Sequence, residues 1–397
     1  MNIGYSKVLF FILIIIFVRC SSSSDVEPIN PMIMIEDVEK LEGNNGTLQI
    51  DYKVTLSASH TEDIILSYKS DDASAFQDSD YKSVEGQLII SSGEVEATIP
   101  LDIVSDNIKE GNEYFRLLFQ SDMEVEFNKK TAQIKIKNDD SELPYGNSDY
   151  STPDTYIGWT KAWADEFDDP EINTSWWTHE IGNGDNGWGN NELEQYTDAP
   201  ENSRIENGNL VIEARDDSWN GQQYTSARMI TRDKKTFGFS RTDIRAKLPF
   251  GQGIWPALWM LGNNIGSKGW PACGEIDIME LIGNLPSTSH ATVHFGADFN
   301  NYKYIGDKYS ISSEIFNDRF HVFSVVREFN QMWFYVDDIL IFEFDSKDTQ
   351  GQPYPFNEQF FFIFNIAIGG NWPGNPDETT QFPQRMEVDY VRVFEKE

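Results

Sequence analysis

The stretch Gly274-Glu275-Ile276-Asp277-Ile278-Met279-Glu280-Leu281 sets three carboxylates among aliphatic, strand-forming residues. Apolar residues alternating with acids read as a β-strand with one face in a core and the other carrying the carboxylates. Side chains alternate along a strand, so Glu275 and Asp277 share a face while Glu280 has the wrong parity to join them. A β-bulge at Ile278-Met279 would absorb one residue and bring Glu280 round. The pattern predicts a bulged strand in an all-β fold.

With the bulge absorbed, Glu275 and Glu280 are about four strand steps apart, roughly 13 Å between Cα atoms. Leaning together, their carboxyls could approach to about 5 Å, the separation at which one carboxylate attacks an anomeric carbon while the other donates and later recovers a proton. Three acids on one face cannot all ionise cheaply, so a proton is expected to be shared among them. Held on Glu280, it makes that residue the acid, while Asp277 hydrogen-bonds Glu275 and keeps it charged and oriented. A solvated edge strand and an acidic calcium cluster are the plainer readings of the same residues.

A chain of 397 residues has room for two domains. Its aromatic content of 14% with 24% charged residues excludes a disordered protein. The net charge of −34 opposes contact with nucleic acid, which requires clusters of Lys and Arg. Cys20 and Cys273 are the two cysteines, and their positions do not make a disulfide framework. Cys20 follows Lys7 and an apolar run from Val8 to Val18, too short to span a bilayer comfortably and typical of an export signal. With Ser21 to Ser24 and Asp25 behind it, Cys20 resembles the lipidated cysteine of a bacterial lipoprotein signal, although Arg19 stands where a small residue is usual. The expectation is a monomer exported by a bacterium to its outer membrane or cell surface, touching membrane only through a lipid on Cys20, or otherwise secreted. Cys273 reads as a small buried residue rather than a nucleophile.

From Pro31 to Asp140 there is no Trp and no helical period, but there are alternating stretches such as Thr47 to Val54, Gln87 to Ile90 and Thr131 to Ile136. They suggest a small antiparallel, Ig-like β-sandwich. The ordered pieces Leu41-Glu42-Gly43, Asp78-Ser79-Asp80-Tyr81, Ser92-Gly93-Glu94, Ser105 to Glu113 and Asn138-Asp139-Asp140 resemble a Calx-beta domain. That resemblance implies calcium at acidic turns, mapping to Glu42, Asp80, Asp106, Glu110 and Asp140. Ser141 to Thr152 has the Pro, Gly, Ser and Asn of a connector between independently folded units. The organisation expected is a signal segment over 1–20, a sandwich over 30–140, a linker over 141–152 and a second domain over 153–397.

All eleven Trp residues lie beyond the connector, from Trp159 to Trp372. Aromatic faces stack on the C–H faces of sugar rings, so a Trp-rich groove suits carbohydrate. Strand patterns at Asn209 to Ala214, Met332 to Val336 and Phe360 to Ile366 alternate with Gly- and Asn-rich turns. They predict two antiparallel sheets packed face to face, a jelly roll bent around a groove.

From Thr155 to Glu395 the sequence resembles glycoside hydrolase family 16, and within it the bacterial laminarinases. The motifs, in order, are Trp163 to Asp168, Gly187 to Leu193, Tyr224 to Arg228, Gly253 to Leu261, the acidic strand, Thr292 to Phe295, Gly369 to Gly374 and Val388 to Val393. The resemblance implies Glu275 as nucleophile, Asp277 as its partner and Glu280 as acid/base. It implies Trp255 and Trp259 on the glycone side of the cleft, Arg228 and Asn190 at sugar hydroxyls or beside the carboxylates, and His294 next to the acid/base. It implies no cofactor for catalysis, and a structural calcium at Glu166, Gly208 and Asp389. The substrate implied is β-1,3-glucan of the laminarin type, hydrolysed with retention. The alternatives are agarose, porphyran or mixed-linkage β-glucan by the same mechanism, or a non-catalytic glucan-binding protein, against which retention of all three acids argues.

Overall fold

The computed structural model describes residues 31–397 apart from 74, 107–112, 124, 138, 140–149 and 313. Cys20 with its signal, Glu110, Asp140 and most of the connector lie outside the described residues. The described strands fall into two groups, one before the connector and one after it.

The first group forms a sandwich of a four-stranded and a five-stranded sheet. Alternation builds it: Tyr52, Val54 and Leu56 of the strand Gly46–Leu56 turn inward, as do Ala132, Ile134 and Ile136 of Thr131–Lys137. The pairing is not wholly antiparallel. Met32–Met34 pairs in parallel with Glu126–Phe127, and Val38–Leu41 in parallel with Thr131–Lys137. Segment 32–41 thus divides between the sheets, its first strand lying inside the four-stranded sheet and its second forming one edge of the five-stranded sheet.

After the connector, an eight-stranded and a seven-stranded sheet pack face to face, as the jelly-roll pattern predicts. Their shared core includes Leu258, Met260, Ile276, Phe362, Phe364, Val391 and Val393. Phe360–Ile368, buried along its whole length, is an interior strand of the seven-stranded sheet. It lies between Arg228–Ile230 and Ile254–Gly262, and beyond the latter come Glu275–Glu280, Thr288–Phe295 and Lys303–Ser310.

The sandwiches are not independent bodies on a string. Ala73 and Tyr114 of the first pack with Trp159, Val326, Trp333, Tyr335 and Phe394 on the outer face of the eight-stranded sheet. Arg116 reaches across to Glu328 at 2.8 Å and also pairs with Asp71 at 2.8 Å. A cavity of about 510 Å³ lies between the two sandwiches, lined by Asp80, Glu113, Tyr156, Arg241 and Asp338 among others. This docking uses the sheet opposite the one that bears the three acids.

The residues expected to hold a structural calcium do not form an open oxygen cage. Glu166 accepts two hydrogen bonds from Arg392, at 2.8 and 2.7 Å, and Asp389 one from Arg245 at 2.5 Å. Gly208 with Asn207 makes a tight hairpin turn, both at positive φ, between Ser203–Glu206 and Asn209–Ala214. As arranged, both side-chain carboxylates are engaged by guanidinium groups, which leaves main-chain oxygens as the ligands these positions would offer a cation. Among the acids mapped from the Calx-beta resemblance, Glu42 and Asp80 are buried.

Candidate active site

The bulge stands where the acid spacing placed it. On one side Trp259 faces Asp277 and Leu258 faces Met279, leaving Ile278 as the extra residue. On the other, Asp277 faces Thr292 and Glu280 faces His290. Ile278 and Met279 both go into the core, which anchors the irregularity by burial rather than by a turn signal. Glu275, Asp277 and Glu280 therefore emerge on the outer face of the seven-stranded sheet. Gly274, at φ +80°, delivers the chain into this strand where a Cβ would stand 2.8 Å from Pro355.

Each outer acid receives an indole N–H. Trp270 Nε1 donates to Glu275 Oε2 at 3.1 Å, and Trp255 Nε1 to Glu280 Oε1 at 3.0 Å. Between them Asp277 lies 3.0 Å from Nε2 of His294, which is also 3.8 Å from Glu275. Nδ1 of His294 is 2.6 Å from the Tyr302 hydroxyl. Register places His294 opposite Glu275, so it sits on the nucleophile side; the neighbour of Glu280 is His290. The expectation that His294 lies beside the acid/base is corrected: it stands four residues along the strand from the position facing Glu280, as set by where the chain re-enters the sheet after Glu280.

Burial raises both outer acids, since the charged form loses water, and the Asp277 carboxylate raises them further. Glu275 rises to about 7, restrained by His294, the Trp270 N–H and Arg228. Glu280 rises to about 8, with Glu275 adding repulsion and His294 and Trp255 opposing. Burial pulls the imidazole of His294 down, but Asp277, Glu275 and Glu280 together carry it up to about 9. The group holding its proton most firmly among the carboxyls is thus Glu280, and a cationic His294 stands beside the other two. One donor atom each from Glu275, Asp277 and His294 lies within 4.8 Å of the others. The arrangement provides a carboxylate for attack and a carboxylic acid for proton donation.

The side chains expected to meet sugar gather around this strand. Trp255 and Trp259 stand on one face of Ile254–Gly262 while Leu258 and Met260 point into the core. Arg228 stacks between Trp188, 4.5 Å from its ring, and Trp259, at 4.9 Å, and pairs with Glu180 at 2.6 Å. Trp259 Nε1 donates to Asn365 at 2.7 Å. Asn190 donates to Glu192 at 3.0 Å, and its carbonyl accepts from the N–H of Asn371 at 2.9 Å. The loop Gly187–Asn191 is thereby tied to the loop bearing Trp372, which meets Trp255 edge to face at 5.5 Å. Gly187 is obligatory there: at φ +57° an added Cβ would lie 2.3 Å from Glu192 N.

Sequence reading assigned no role to Trp270, His290 or Glu194, and held Trp372 and Glu192 only within motifs. Trp270 was open to detection, lying five residues before Glu275 in a Trp-rich domain. Glu194 is fully buried and its carboxyl is pushed well up by burial and by Glu192. Tyr196 links this pair to the site, donating to Glu192 at 3.2 Å and accepting from Asn365 at 3.1 Å. No local pattern announces such a network.

The fold and this constellation define a carbohydrate-cleaving jelly roll, and the sequence model of glycosyl hydrolases family 16 matches residues 190–392. The chain belongs to that family, and its first sandwich is a Calx-beta domain, matched over residues 34–140. It is 40% identical over 250 residues to a beta-glucanase of Rhodothermus marinus, covering 59% of this chain and 85% of that one. It is 38% identical over 271 residues to glucan endo-1,3-beta-glucosidase A1 of Niallia circulans, covering 62% of this chain and 39% of that one. Among solved structures, the catalytic domain of an endo-1,3-beta-glucanase (laminarinase) from Thermotoga petrophila is 47% identical with a TM-score of 0.57, covering 60% of this chain and 98% of that one.

Proposed function

We propose that the protein is a retaining endo-hydrolase of β-1,3-glucan of the laminarin type. Glu275 attacks the anomeric carbon while Glu280 protonates the departing oxygen, and water then enters with Glu280 acting as base. The observation that carries this is the bulge, which turns Glu280 to the same face as Glu275 and gives each carboxyl its own indole partner. Asp277 makes no hydrogen bond to Glu275; it pairs with His294 between the two outer acids, and its charge raises both. Trp255 and Trp259, on one face of their strand, form with Arg228 and Asn190 the wall that receives the glycone. The likeness to laminarinases supports the choice of polymer. The site is complete within one chain, which supports action as a monomer.

The test is incubation of the purified protein with laminarin and a panel of β-glucans and algal galactans. Oligosaccharides released from the interior of laminarin support the reading. Release from agarose or mixed-linkage glucan alone would redirect it, and binding without any product would make the protein a glucan-binding module.

We also propose export with lipidation at Cys20, on the strength of the apolar run from Val8 and the Ser-rich stretch behind the cysteine. Labelled fatty acid incorporated by the full chain and lost in Cys20→Ser supports it; equal labelling of both would overturn it.

A further inference from the structure

We propose that Glu194, behind the cleft wall, is a positioning residue that carries a proton and shares it with Glu192, and that this shared proton keeps the side chains of Trp259 and Asn190 aligned. The inference rests on the glucanase reading above and extends it to a residue buried beneath the site.

The direction of the hydrogen bonds assigns the charge. An indole N–H can only donate, so Trp259 Nε1, 2.7 Å from Asn365 Oδ1, leaves the amide group of Asn365 to donate to the Tyr196 hydroxyl at 3.1 Å. That hydroxyl in turn donates to Glu192 Oε2 at 3.2 Å, while Asn190 Nδ2 donates to Glu192 Oε1 at 3.0 Å. Both oxygens of Glu192 thus receive donors, the environment of a carboxylate anion. Glu194 is served differently. It is fully buried, its Oε2 accepts from the N–H of Ile368 at 2.6 Å, and its Oε1 has no donor among the described residues. Burial and the neighbouring Glu192, within hydrogen-bond reach, push the Glu194 carboxyl well up. A proton on Glu194 supplies the missing donor and turns two repelling acids into one O–H···O bond.

The backbone around the pair is already fixed. Asn183 Nδ2 donates to the carbonyls of Glu192 at 3.2 Å and Glu194 at 2.7 Å, and the N–H of Leu193 donates to the Ile368 carbonyl at 2.8 Å. The side chains remain to be set, and the bridging proton sets them. Without it Glu192 turns from Glu194, and Tyr196, Asn365 and Trp259, on which Arg228 stacks, lose their alignment in sequence.

The test compares the full chain with Glu194→Gln and Glu194→Ala. Infrared difference spectra at neutral pH are expected to show the carbonyl stretch of a neutral carboxylic acid in wild type and its loss in Glu194→Gln. On laminarin, Glu194→Ala is expected to raise KM about tenfold with kcat unchanged, and Glu194→Gln, whose amide still donates to Glu192, to rescue KM. Absence of the difference band, an amide variant as weak as Glu194→Ala, or an unchanged KM in Glu194→Ala would each overturn the proposal. Should Glu194→Ala not fold, the band and the amide variant decide it. Wild-type protein inert toward laminarin would instead overturn the glucanase reading, and the positioning role with it.

Discussion

His294 holds its Nε2 3.0 Å from the Asp277 carboxylate and only 3.8 Å from that of Glu275. It is a partly buried cation set against these two acids. Removing it takes away an interaction favouring the ionised form, so the Glu275 carboxyl must rise. In His294→Gln the acid limb of the kcat/KM profile against pH moves to higher pH, with a loss of roughly tenfold near pH 6 and a smaller one near pH 8. A uniform loss at every pH would show that the residue only packs.

The two outer carboxyls themselves set the working range. Attack requires Glu275 ionised and donation requires Glu280 protonated, so kcat/KM rises through about 7 and falls through about 8. These limbs belong to the coupled group rather than to single residues. Glu280→Gln cannot donate, and turnover of glucan drops about 10²- to 10⁴-fold while binding to laminarin persists. A pH–rate series on wild type and variant checks both statements.

Deleting Ile278 removes the extra residue and leaves Glu275, Asp277 and Glu280 in strict alternation. Regular pairing then keeps Glu280 on the outer face opposite Ala257 and Met279 in the core, while the Ile278 side chain is lost from that core. The expected outcome is hydrolysis retained together with a lower melting temperature, read by circular dichroism. Loss of hydrolysis in a variant that still folds would mean that parity alone does not orient Glu280.

Between the domains, Arg116 is the cation shared by Asp71 and Glu328, with Lys396 also 2.6 Å from Glu328. Arg116→Ala leaves Lys396 as the cation near both acids in a partly buried contact, at a cost of about 1–3 kcal/mol in unfolding free energy. Activity on laminarin is expected to be unchanged, because the contact lies on the sheet opposite the acids. Denaturant melts with parallel assays measure both.

Much of this was legible in the chain. The parity of Glu275, Asp277 and Glu280 demanded a bulge, and alternation along Ile254–Gly262 separated Trp255 and Trp259 from the core residues between them. Cross-strand register was less accessible. Whether His290 or His294 neighbours Glu280 depends on where the chain re-enters the sheet after the turn, and neighbouring residues do not state it. Polar groups meeting from distant segments were equally hidden, as with Trp259, Asn365, Tyr196 and Glu192. Ion pairs between distant segments were hidden in the same way, as with Glu166 and Arg392 or Asp389 and Arg245.

The central claim is that Glu275 forms a bond to sugar while Glu280 moves the proton. A 2-deoxy-2-fluoro-laminaribioside with a good leaving group slows release of the glycosyl intermediate enough for it to be weighed. Peptide mass spectrometry of the inactivated protein should find one glycosyl adduct, on Glu275. An adduct on Glu280 or Asp277, or turnover of laminarin with no adduct under any condition, would contradict the account.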